Sequence, residues 1–214
     1  MNLFQELIPA FRYIFIPDRF QKPVRYKGCH YNRGYKKMNI LLETDRLLLR
    51  PLELFDAEAM FAMDNNPEVH KYLWQKPALA IEETIKTIEY VRNQYERNNI
   101  GRFATILKET GEFIGWTGIK FVDDHIENGN TNFYDYGYRL SEKYWNKGYA
   151  TEASRAWLDY GFNQMDIEIM NAFTHNDNGA SNHILEKIGM TMMEVYTAED
   201  AVKWRWWQIK NSVQ

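Results

Sequence analysis

A lysine and a glycine stand where a strand-like run gives way to an amphipathic helix, and that placement suggests anion chemistry. In Tyr136-Gly-Tyr-Arg-Leu-Ser-Glu-Lys-Tyr-Trp-Asn-Lys-Gly-Tyr-Ala-Thr-Glu-Ala153 the strand reads to Leu140, a polar loop carries Lys147-Gly148, and a helix opens at Tyr149. The first N–H groups of a helix lack intrahelical acceptors, and a glycine has no Cβ to hold an anion away. The helix dipole and the Lys147 charge add to the attraction, so the junction suits a phosphate. An ordinary strand-to-helix turn would read the same way. A second stretch, Asn178-Gly-Ala-Ser-Asn-His-Ile-Leu-Glu-Lys-Ile-Gly-Met190, opens another helix. Asn178 and Ser181 are good capping types, so their plainest role is to fasten its first turn, with Gly189 closing its far end. Other chemistry is thin: the five histidines have no ligand spacing, and there is no Gly-x-Ser-x-Gly elbow, Walker loop or Cys/His array. No metal is expected.

Elements of matching period surround these residues. Strand-like runs cover 102–108, 112–122 and 132–140, with Thr110-Gly111 as a hairpin turn between the first two. Upstream, a leucine-rich strand over 46–52 stops near Pro51. Asp56 is placed to cap a short helix with Ala59, Met60 and Met63 as its apolar positions, and a longer helix lines up Ile81, Ile85, Ile88 and Tyr95. Downstream come a helix over 149–165, a strand over 168–175, a helix over 178–188, and strands over 190–196 and 202–209. The order β-α-α-β-β-β-α-β-α-β-β predicts a mixed α/β sheet domain.

Composition bounds the rest. With 214 residues, 45% hydrophobic and 15% aromatic, the chain can fill a core. No apolar run approaches the roughly twenty residues a spanning helix needs, so a membrane protein is not expected. Cys29 is alone and has no internal disulfide partner, which points to a cytoplasmic address. Residues 1–37 hold eight Lys/Arg against two Asp/Glu, whereas 38–214 hold eighteen against twenty-seven. A basic arm of this kind would suit nucleic acid or a membrane surface. The favoured reading is a loosely ordered extension or translated upstream sequence, with Met38 the natural start. Asp18, Arg19 and two prolines deny it the apolar run of a signal peptide. From residue 38 to 214 no linker or repeat intervenes, so one domain is expected there.

Together with residues 43–52 (Glu-Thr-Asp-Arg-Leu-Leu-Leu-Arg-Pro-Leu), the two motifs resemble the GNAT superfamily of acyl-CoA-dependent N-acetyltransferases, most of all its ribosomal-protein N-terminal acetyltransferase branch. The resemblance runs in order from residue 43 to about 210. It implies a mostly antiparallel central sheet with helices on both faces and splayed strands that form a coenzyme A cleft. The family pattern Gln/Arg-x-x-Gly-x-Gly/Ala falls on residues 145–150, with Trp145 departing from the usual first residue. It implies that the N–H groups of Asn146, Lys147, Gly148, Tyr149, Ala150 and Thr151 hold the coenzyme diphosphate. Tyr138, Arg139 and Leu140 match the strand that pairs with the pantetheine amides. Asn178 and Ser181 match the residues that contact that arm. The family's frequent catalytic acid falls on Asp135, one methylene shorter than the usual glutamate, so a bridging water would be needed; the alternative is that Asp135 merely pairs with a neighbouring arginine. Positions 184 and 185 hold Ile and Leu where some relatives keep a tyrosine, leaving Ser181, Tyr138 or water as proton donor. The implied activity is direct acetyl transfer from acetyl-CoA to a primary amine, a protein N-terminus or a small molecule. Trp74, Trp116, Glu199 and Asp200 would shape a pocket for a cationic acceptor. A binding module without turnover, or a ribosome- or RNA-associating protein using the basic arm, are the competing readings.

Overall fold

The computed structural model describes residues 40–211 apart from Trp74 and Glu199. The basic segment 1–37 and the expected start at Met38 lie outside the described residues. So do Trp74 and Glu199, two of the residues expected around an acceptor.

The elements in order are β1 (Leu42–Glu43), β2 (Leu47–Pro51), α1 (Ala57–Asp64), α2 (Pro67–His70), α3 (Ile81–Asn98), β3 (Arg102–Leu107), β4 (Phe113–Val122), β5 (Phe133–Leu140), α4 (Tyr149–Asn163), β6 (Ile169–His175), α5 (Gly179–Lys187), β7 (Thr191–Thr197) and β8 (Lys203–Lys210). They form one eight-stranded sheet in the order β1-β2-β3-β4-β5-β6-β8-β7. Every pairing is antiparallel except β5 with β6. The mixed, mostly antiparallel α/β sheet expected from the sequence is what forms.

Local departures have local causes. Asp56 does not cap α1 with its side chain. Its carboxylate takes the Arg50 guanidinium at 2.6 and 2.7 Å and the Glu53 N–H at 2.9 Å, and a 3-10 turn over Leu54–Asp56 precedes the helix. Ala57 rather than Ala59 takes the buried place. The four-residue α2 was not anticipated. Asn66 caps it through the Glu68 N–H at 3.0 Å, and Pro67 stands at its first position, where no N–H is missed.

Helices cover both faces. On one, the fully buried Trp157 of α4 meets Phe103 edge-on at 4.9 Å and donates its Nε1–H to Thr117 Oγ1 at 2.9 Å, while Ser154 bonds the Tyr136 hydroxyl at 2.6 Å. α5 joins this face through Thr174, which donates to Asn182 Oδ1 at 2.6 Å. On the other face α1 is tied to β5 by Asp64 and Arg139 at 2.7 Å, with α3 packed along α1.

The sheet parts in one place. β5 and β6 are in register only at Tyr134 with Met170 and Asp135 with Asn171. Beyond that β5 stays paired with β4 out to Leu140, and β6 with β8 out to His175. The two strands diverge into a V with α4 starting near its mouth. β4 is bent to suit: Gly115 and Gly118 sit at φ +147° and +148°, beside a bulge between Thr105 and Ile106. A Cβ at Gly115 would lie 2.1 Å from the Arg139 carbonyl oxygen.

Gly115→Ala therefore meets a backbone conformation that costs an alanine about 1–3 kcal/mol and a main-chain clash besides. Gly111→Ala, at φ +73° with nothing within 4 Å, meets only the first kind of strain. Guanidinium unfolding should give the Gly115 variant the clearly lower midpoint; equal midpoints would contradict the close approach of β4 to β5.

Candidate functional site

α4 begins at Tyr149 behind Gly148, a left-handed N-cap at φ +82° that offers its first turn no side-chain acceptor. Asn146 is also left-handed, at φ +58°, so the chain from Trp145 to Gly148 curls as an exposed loop before the helix. The first intrahelical bond is the Glu152 N–H to the Gly148 carbonyl at 3.0 Å. The N–H groups of Tyr149, Ala150 and Thr151 belong to the turn that a helix leaves without internal acceptors. Lys147 is exposed, its ammonium 5.6 Å from the Tyr144 ring. The Trp145 indole donates to the Leu140 carbonyl at 2.7 Å, closing the end of β5.

Across the V, Asn178 caps α5 by accepting the Ser181 N–H at 3.1 Å. Tyr138 reaches from β5 and donates its hydroxyl to Ser181 Oγ at 3.1 Å. Burial pushes the Tyr138 phenol up to about 12, the bond to Ser181 opposing it only in part. Thus two of the three residues expected to share chemistry are in direct contact.

The third is elsewhere. Strand side chains alternate, so Asp135, three residues from Tyr138, faces the opposite side of β5. It is 2% exposed, and its Oδ2 is held by the Arg102 guanidinium, which also donates to the Asp135 carbonyl at 2.9 Å. Lys120 stands opposite it on β4; burial lowers the Lys120 ammonium, with Asp135 pulling the other way. On this side Arg102 and Arg139 lie 5.5 and 5.2 Å over the Trp116 ring, which fixes the indole between two cations. His175 packs between Tyr72 and Trp204 and accepts the Asp177 N–H on Nδ1 at 3.1 Å, a structural tie. Asp200 Oδ1 accepts the Val202 N–H at 3.1 Å.

Sequence reasoning missed the clamp behind the α4 loop. Glu152, in the helix's first turn, receives Thr44 Oγ1 at 2.5 Å, the Arg46 N–H at 2.9 Å and Arg46 Nε at 2.7 Å. Arg46 Nη1 also donates to the Lys147 carbonyl at 3.0 Å, and its guanidinium lies 4.5 Å over the Tyr149 ring. The only signal was the Thr-x-Arg within the 43–52 motif; nothing local links it to a glutamate 106 residues on.

Known proteins share this sequence pattern and this fold. A family model described as an acetyltransferase (GNAT) domain fits residues 46–191. The uncharacterized N-acetyltransferase p20 of Bacillus licheniformis is 33% identical over 147 residues, covering 69% of this chain and 80% of its own. The spermidine N(1)-acetyltransferase of Escherichia coli strain K12 is 27% identical over 145 residues, covering 67% and 72%. The structure of Vibrio cholerae spermidine N-acetyltransferase, solved with CoA and spermine, shares the fold at a TM-score of 0.65 and 18% identity, over 79% of this chain and 98% of that one.

The clamp titrates. Burial raises the Glu152 carboxyl, but the bonds from Thr44 and Arg46 outweigh it, so its value falls below the ordinary 4.5. A carboxyl lowered by folding adds stability that is full above its unfolded value and lost as pH falls through the folded one. Glu152→Gln should thus unfold more readily than wild type near pH 7, with the gap closing as pH drops well below 4.5; a gap that persists or widens in acid, measured by urea unfolding across pH, would rule the linkage out.

Proposed function

Because the chain belongs to the GNAT acetyltransferase family, we propose that it moves an acetyl group from acetyl-CoA to a primary amine, a protein N-terminus or a small-molecule amine, by direct transfer. The parting of β5 from β6 beside the open start of α4 carries the reading. Main-chain groups on the free side of β5 need partners, and an extended amide-bearing arm supplies them as an added strand does. Tyr138, Arg139 and Leu140 would pair with pantetheine, while the N–H groups from Asn146 to Thr151, with Lys147, would take the diphosphate. Asn178 would meet the arm through its amide Nδ2, since Oδ1 is committed to capping.

The thioester supplies the acyl group: a nitrogen–carbon bond forms at its carbonyl, the carbon–sulfur bond breaks, and the sulfur takes a proton. Tyr138 keeps its own proton at neutral pH and donates to Ser181, which leaves the Ser181 O–H directed elsewhere. That pair is the donor to the departing sulfur. Since Oδ2 of Asp135 is held by Arg102, proton removal from the incoming ammonium would run through Oδ1 and a bridging water. The competing reading of a binding module rests on the same engaged carboxylate.

A thiol-release assay with acetyl-CoA against N-terminal peptides, polyamines, aminoglycosides and amino acids tests the reading. Amine-dependent release supports it; coenzyme binding by calorimetry without release favours the binding module. Tyr138→Phe should lower kcat by about tenfold with KM for acetyl-CoA nearly unchanged, less than the usual factor of about 100 or more for acid–base help because a thiolate leaves readily. An unchanged kcat removes Tyr138 from the chemistry.

A further inference from the structure

We infer that Arg46 is a positioning residue for the coenzyme diphosphate, acting by neutralising Glu152 so that the start of α4 can accept an anion; this rests on the site reading given above.

The observations are geometric. A glutamate in the first turn of a helix already occupies the electrostatic role that a bound phosphate would take there. Left bare, Glu152 would repel a diphosphate held by the same N–H groups. It is not bare: Arg46 Nε lies 2.7 Å from Oε2, and Thr44 and the Arg46 N–H hold Oε1. The same guanidinium fixes the loop by its bond to the Lys147 carbonyl, and Nη2 comes within 3.3 Å of where a side chain at position 148 would start. One cation thus cancels the acid and shapes the αL bend beside it. The Arg46 side chain is 45% exposed and that of Glu152 19%, so water screens the pair in part. The three donors on Glu152 serve the fold, and by cancelling the acid at the mouth of an anion site they also leave that site open to an anion.

Calorimetric titration of the full chain with CoA and with pantetheine, at low salt, separates the possibilities. Arg46→Ala should weaken CoA binding by about tenfold, a difference of about 1.4 kcal/mol. It should raise KM for acetyl-CoA in step while kcat holds, and leave pantetheine, which lacks the diphosphate, unaffected. Arg46→Lys, which keeps the charge, should recover part of the loss. The double variant Arg46→Ala/Glu152→Gln should regain most of it, because the uncovered acid is gone, whereas a double variant as weak as Arg46→Ala would overturn the neutralising role. Should Arg46→Ala fail to fold, Glu152→Gln alone decides: CoA binding severalfold tighter than wild type supports the inference, and weaker binding overturns it. Wild-type chain that binds CoA with no change in Arg46→Ala defeats the inference but spares the site; wild-type chain that ignores CoA defeats both.

Discussion

Everything in the molecule turns on a parallel pairing that lasts for two residues. Main-chain polar groups need partners, and over most of the sheet each strand finds them on both sides. β5 and β6 do so only around Tyr134 and Asp135. Past that point each strand is loyal to its antiparallel neighbour, β5 to β4 and β6 to β8. Two well-paired half-sheets thus meet at a short seam and lean apart. The gap is the outcome of satisfied bonds elsewhere, and the backbone of β4, bent at its glycines, keeps β5 in place without help from β6.

Side chains then sort themselves about the seam. Toward α4 and α5 lie the neutral hydroxyls, Tyr136 on Ser154 and Tyr138 on Ser181. Toward α1 lie the ions, Asp135 with Arg102 and Asp64 with Arg139, stacked around Trp116. Each of these charges is paired, which is what burial demands of them. One face of the strand is therefore set up to hold protons and the other to hold charge.

What could be read from the sequence was local. The turn at Thr110-Gly111, the glycine before α4 and the capping asparagine of α5 each act within a few residues, and their types suffice. α2 is too short to show a period, and Asp56 was drawn off its expected cap by Arg50, a competition that propensity does not weigh. Long-range pairs were invisible. Arg46 with Glu152 and Arg102 with Asp135 depend on which strands become neighbours, and no pattern in either segment encodes its partner. For Asp135 the alternatives were a base acting through a water and a mere partner of a neighbouring arginine; the structure supplies such an arginine, and that it is Arg102 follows only from β3 and β5 both lying beside β4.

The indole of Trp145, bonded to the last carbonyl of β5, sets a limit on length. From Tyr136 to Leu140 the open side of the strand spans about 13 Å at roughly 3.3 Å per residue. Its limits along the chain are that bonded carbonyl at one end and the seam at the other. The unpaired stretch of β5 is thus measured from Leu140 to the pairing at Asp135. The tryptophan that breaks the family pattern is in this sense the zero mark of a ruler.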